Sequence, residues 1–111
     1  MAQGYYKHKS TPLTEEEIKE KYEDIQDEMK EVLKWKKEEE AKLNNPNSTP
    51  QKKSAAQRAL KKVARRIDTV QGQIIYWKLR VEGESHFKAG MEMNEYWASC
   101  REKAEKEREN D

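Results

Sequence analysis

The chain has 111 residues, enough for one domain, of which 33% are hydrophobic and 41% charged, with a net charge of +1. That composition excludes a thick globular core, and the near-neutral balance excludes a wholly polybasic binder or an acidic mimic of nucleic acid. Disorder or long thin helices burying a narrow seam remain, and a regular apolar periodicity decides for the helices.

Residues 1–13 (MAQGYYKHKSTPL) read as a flexible basic and aromatic tail, with Tyr5, Tyr6, Lys7, His8 and Lys9 and no acid. Pro12 argues against helix there. The segment lacks the apolar stretch of a signal peptide, and the longest strongly apolar run in the chain, Ile74 to Trp77, is too short to cross a membrane. The single cysteine, Cys100, has no internal partner for a disulfide. These features predict a cytoplasmic protein with no membrane partner.

A first helix is predicted over about 14–43. Thr14 stands as its N-cap, and Glu17 can reach back to complete a capping box. Leu13 and Ile18 are placed for a hydrophobic staple, and Glu15, Glu16 and Glu17 suit the positive end of the helix dipole. Ile18, Tyr22, Ile25, Met29 and Val32 then repeat at steps of 4, 3, 4 and 3, a heptad seam. The seam lapses at Lys36 and Glu39 and returns at Leu43.

Residues 44–50 (NNPNSTP) break the helix. Asn44 or Asn45 is expected in the left-handed conformation, Pro46 blocks continuation, Thr49 caps the next helix, and Pro50 falls at its first position. The second helix is predicted over about 50–82. Its seam of Ala56, Leu60, Val63, Ile67, Val70, Ile74, Trp77 and Val81 has no lapse, and Gly83 stops it. A shorter third helix is predicted over about 85–107. It carries Met93, Trp97, Cys100 and Ala104 at helical spacing, with Phe87, Met91 and Tyr96 beside them. Its charged end is expected to fray.

The fold expected is all-α: an antiparallel, coiled-coil-like hairpin of two long helices plus a shorter third helix, forming a single helical domain over 14–108. The short linker makes the long helices antiparallel neighbours. It sets Val32 near Val63, Met29 between Val63 and Ile67, and Ile18 near Ile74 and Trp77. Residues 14–43 hold 12 acids and 7 bases, a net of −5, whereas residues 44–82 hold 9 bases and 2 acids, a net of +7. Opposite charges beside a seam favour this pairing over self-pairing of either helix. Trp35 and Leu33 are expected opposite Ala55, Ala56 and Ala59. Ile75, Tyr76 and Leu79 point away from helix one and need cover. The third helix can supply it with Phe87, Met91, Met93 and Trp97, from the same chain or from another copy. Gly72, on that outward face, either permits a close approach or is merely tolerated. The thin core favours a homodimer or higher homo-oligomer.

Three features can carry function. Residues 51–66 hold seven bases and no acid: Lys52, Lys53, Arg58, Lys61, Lys62, Arg65 and Arg66. Arg58, Lys61, Lys62 and Arg65 fall at outward positions, as an anion-binding face requires, although a solvated lysine-rich face has the same pattern. In the tail, Tyr5, Tyr6, Lys7 and Lys9 combine groups that stack on bases with groups that hold phosphate. Ile75, Tyr76, Leu79, Phe87, Met91, Met93, Tyr96 and Trp97 form either a partner or self-association surface or a local core.

Catalysis has little support. His8 and His86 lack metal-ligand spacing, Cys100 lies on an apolar stripe, and no glycine-rich phosphate loop is present. No enzyme, cofactor or metal is expected. The first functional reading is a non-catalytic protein-interaction module: a small self-associating adaptor or inhibitor docking on a larger protein. Its composition is that of many bacteriophage and mobile-element accessory proteins. The alternative is a nucleic-acid binder using the basic face of helix two. A third reading is a small anionic nucleotide held between subunits by tail and helix-two bases.

Overall fold

A computed structural model describes residues 12–110. These form three helices and no strand: α1 (Glu15–Asn44), α2 (Pro50–Val81) and α3 (His86–Asn110). α2 lies in the middle. α1 and α3 each pack on it and do not pack on each other.

The capping chemistry sets the boundaries. Thr14 Oγ1 accepts from the Glu17 N–H at 3.1 Å, and Glu17 Oε1 accepts from the Thr14 N–H at 3.1 Å. This reciprocal pair satisfies two backbone donors that a helix start leaves open, a cap of about 1 kcal/mol. Ile18 is buried, and Leu13 beside the cap is 38% exposed. Thr49 caps α2 by accepting from the Lys52 N–H at 3.2 Å, with Pro50 in the first turn.

The α1–α2 turn differs from expectation. Asn45 is extended at φ −76°, and among the described residues no side-chain-bearing residue has positive φ. The left-handed stop is unnecessary because side chains close the turn. Ser48 Oγ donates to the Lys42 carbonyl at 2.7 Å, satisfying an orphan acceptor of the last helical turn, and Asn45 Oδ1 accepts from the Asn47 N–H at 2.9 Å. Gly83 alone among these residues takes positive φ, at 95°, where α2 ends.

The hairpin buries every seventh residue on both helices: Ile18, Ile25, Val32 and Glu39 on α1, and Ala56, Val63 and Val70 on α2. The alternate seam positions, including Tyr22, Met29, Leu60, Ile67 and Ile74, are half-buried. Ile25, Val32, Val63 and Val70 form one apolar cluster, with Tyr22, Met29, Ile67, Ile74 and Trp77 packed against it. Val63 and Val70 are fully enclosed; each contributes about 1.5–3 kcal/mol by burial. An Arg66–Glu28 ion pair flanks the cluster and fits the same antiparallel register.

One expectation about this seam is overturned. Glu39, read as a lapse, is a buried seam residue whose carboxylate takes a hydrogen bond from Lys42 Nζ at 3.1 Å. It lines a recess with Ala55, Ala56 and Ala59, whose small side chains leave room for it. Leu33 and Trp35, expected over those alanines, remain 41% and 38% exposed.

α3 folds back on α2 within the chain. Ser85 Oγ accepts from the Lys88 N–H at 3.1 Å and begins it. The Tyr76 hydroxyl meets His86 Nδ1 at one end of the contact, and Trp97 Nε1 donates to the Asp68 carbonyl at 3.1 Å further along. As α3 advances, its partners on α2 recede, so the two helices are antiparallel. Gly72 makes the approach possible: a Cβ there would lie 2.1 Å from Trp97 Nε1. Phe87 and Met91 do not serve as cover, contrary to expectation. They are 75% and 48% exposed, and Ala89, roughly 200° round the helix from each, is fully buried instead. α2 supplies the bulk on this side through Ile75, Tyr76 and Leu79, so a small α3 residue fits closest. The charged end of α3 is helical to residue 110, and its side chains over residues 101–109 are exposed.

Candidate functional site

The face of α2 opposite α1 is divided along its length. Arg58, Arg65, Gly72 and Leu79 succeed one another every seven residues. They lie two residues on from the seam positions Ala56, Val63, Val70 and Trp77, hence roughly 200° round the helix. Lys61 and Lys62 flank this line in its first half; Asp68, Ile75 and Tyr76 flank it in the second. α3 covers the second half. The first half remains open, and Arg58, Lys61, Lys62 and Arg65 are all exposed there.

The seven bases of residues 51–66 therefore separate. Arg66 pairs with Glu28 of α1. Lys52 borders the recess that holds Glu39, and Lys53 is half-buried toward the hairpin's closed end. The other four turn away from acidic α1. Among the described residues, the ion pairs are Lys30–Asp27, Lys42–Glu39, Arg66–Glu28 and Lys88–Glu84, so none engages these four. Among the described residues Arg58 donates to Ser54 Oγ, at 3.4 Å. The sequence pattern reaches this division because heptad position alone tells which bases face α1.

Where α3 leaves α2 there is a wedge-shaped cleft of about 570 Å³. Arg65, Asp68 and Thr69 line it from α2; Trp97, Cys100 and Arg101 line it from α3, continued by Ala104, Glu105 and Arg108. Sequence reasoning missed Arg101 and Arg108. The signal lay in their seven-residue spacing, which puts both on one side of α3, but it was hidden in a segment charged all round.

Asp68 anchors this junction. Its carbonyl takes the Trp97 indole N–H, and its carboxylate lies beside the Tyr96 hydroxyl. Burial, reinforced by neighbouring Cys100 and by Asp68, pushes the Tyr96 phenol up to about 12. Ionising it there would put a second negative charge next to Asp68 in a partly desolvated place.

Of the expected partner surface, Ile75, Tyr76, Leu79, Met93, Tyr96 and Trp97 are half-buried in the cis contact of α2 and α3; Phe87 and Met91 face out. The tail candidates Tyr5, Tyr6, Lys7 and Lys9 lie outside the described residues. Within the described residues, no three His, Cys, Asp or Glu side chains gather as a metal-ligand set, and no helix is long and apolar enough to cross a membrane.

No protein family, curated protein or solved structure matches the chain.

Proposed function

We propose that the chain is a non-catalytic binding module that lays the open cationic face of α2 on a polyanion, with nucleic-acid phosphates as the ligand. The observation that carries this reading is the set Arg58, Lys61, Lys62 and Arg65, exposed together and without carboxylate partners among the described residues. Acidic α1 lies on the far side of α2, so its field opposes theirs least at this face. Four cations over eight residues, roughly 11 Å of helix, match a few successive phosphates. Four cations on one open helix face suit contacts to the phosphate backbone, which tolerate sequence. Under this reading the protein works in the cytoplasm, where a lone thiol such as Cys100 stays reduced.

The test is a fluorescence-anisotropy titration of labelled DNA and RNA with the full chain. Binding at about 50 mM salt that weakens steeply as salt rises supports the reading. No binding at that salt overturns it.

A second reading rests on Phe87 and Met91, one turn apart on the outer side of α3 and 75% and 48% exposed. Aromatic and methionine side chains of this kind are enriched at protein interfaces. They suit an adaptor or inhibitor that docks on a larger protein, or a self-associating chain. This reading ranks second because most of the apolar surface it needs is already covered by α3. A stoichiometric partner recovered after nuclease treatment, and lost in a Phe87→Ser/Met91→Ser variant, would reverse the order.

A further inference from the structure

We propose that the cleft between α2 and α3 is a binding site for a phosphorylated nucleoside, whether a free nucleotide or one unit of a nucleic-acid strand. The inference deepens the reading above and rests on it for the strand case only. Three arginines, Arg65, Arg101 and Arg108, line one cavity of about 570 Å³. Like charges brought to one place repel, and the cleft's two carboxylates, Asp68 and Glu105, offset only part of the three arginines' charge, so the cleft keeps an excess of cation. Asp68 is engaged by α3, and neither Asp68 nor Glu105 forms an ion pair with these arginines among the described residues. The planar guanidinium fork is the side chain best shaped to hold phosphate oxygens in pairs.

The rest of the cleft argues against a bare phosphate as the whole ligand. Its volume falls in the range of small-molecule sites, roughly 300–1,000 Å³, far more than one phosphate fills. Its wall carries the Trp97 ring with Cys100 and Ala104, apolar surface against which a planar base can lie. The Trp97 N–H is already spent on the Asp68 carbonyl, so the indole offers ring surface rather than a donor. Arg65 belongs both to this cleft and to the open face bearing Arg58, Lys61 and Lys62. A strand held along that face therefore has a continuous route for one nucleotide to enter the wedge.

Cys100 provides the readout. It is the chain's single cysteine, it is half-buried, and it lines the cleft. Its alkylation by iodoacetamide is timed alone and with saturating ATP, a short oligothymidylate, or pyrophosphate. ATP is expected to slow labelling about tenfold by occupying the cleft. An Arg101→Gln/Arg108→Gln variant, changed only at exposed helix positions, is expected to lose that protection while keeping its helicity. Protection by the oligothymidylate as well assigns the strand source; protection by ATP alone assigns the free nucleotide and upholds the site. Oligothymidylate binding seen by anisotropy, with Cys100 labelling unchanged by it and by ATP, overturns the cleft and leaves the open face standing. Equal protection by pyrophosphate overturns the nucleoside requirement, and no protection or binding by any probe overturns both proposals.

Discussion

At the scale of single residues, the α2–α3 junction turns on Gly72. Intrinsic propensity says that Gly72→Ala should stabilise α2 by about 1 kcal/mol, since glycine is a poor residue for a helix interior. The packing says the opposite. The new methyl would fall 2.1 Å from Trp97 Nε1, so the indole, its bond to Asp68 and the α3 backbone behind it must move. Overpacking of this kind costs about 1–3 kcal/mol, which exceeds the propensity gain. Gly72→Ala should therefore lower the thermal midpoint and shift Trp97 toward water; a raised midpoint would show that α3 does not sit here. Tyr96 offers a second probe. With its phenol held neutral up to about 12 rather than about 10, the folded chain keeps a proton there that the unfolded chain has lost. The stability linked to that proton is complete below pH about 10 and disappears as pH rises through about 12. Tyr96→Phe should flatten the alkaline decline in that window, as read by urea unfolding at a series of pH values. Superimposable wild-type and variant profiles would contradict the placement of Tyr96 beside Asp68 and Cys100.

At the scale of elements, the question is whether apolar seam or opposite charge holds α1 to α2. Val63 is fully enclosed in the seam, whereas the Arg66–Glu28 pair is partly open to solvent. Exposed pairs contribute no more than about 1 kcal/mol, so the seam decides affinity and the charges decide which surfaces meet. Val63→Ala should cost about 2 kcal/mol and Arg66→Ala less than about 1 kcal/mol in denaturant unfolding. The reverse order would mean that charge holds the hairpin. Much of this element pattern was legible beforehand. An unbroken 4–3 spacing from Ala56 to Val81, a capping box at Thr14 and a proline at the first turn of α2 are local signals with one structural meaning each. Glu39 was not legible, because its burial depends on the small alanines that happen to face it across the hairpin. The exposure of Phe87 and Met91 is hidden from the sequence for a related reason. Hydrophobicity marks a residue as able to be buried, but the distance between two backbones decides whether a large or a small side chain fits, and Gly72 with Trp97 had already drawn α3 close. The cleft arginines escaped notice because a site shared by two helices has no single-helix periodicity.

At the scale of the whole molecule, charge is sorted across the fold. α1 carries the acidic excess on one side of α2, and the open half of α2's other side carries Arg58, Lys61, Lys62 and Arg65. A net charge of +1 conceals this polarity. Long-range attraction to a polyanion is then weak, and binding depends on the molecule presenting one face at close range, within about a Debye length of 8–10 Å. The most direct test compares the salt dependence of oligonucleotide binding by the wild-type chain and by a variant with Arg58, Lys61, Lys62 and Arg65 all changed to glutamine. The logarithm of the association constant should fall with the logarithm of salt concentration in the wild type, with a slope of about −3 to −4. In the variant that slope should shrink to no more than the roughly −1 to −2 that Arg101 and Arg108 can still supply, with helicity unchanged because all four side chains are exposed. An equal slope in both proteins would mean that phosphates are held elsewhere, and the account of the cationic face would be wrong.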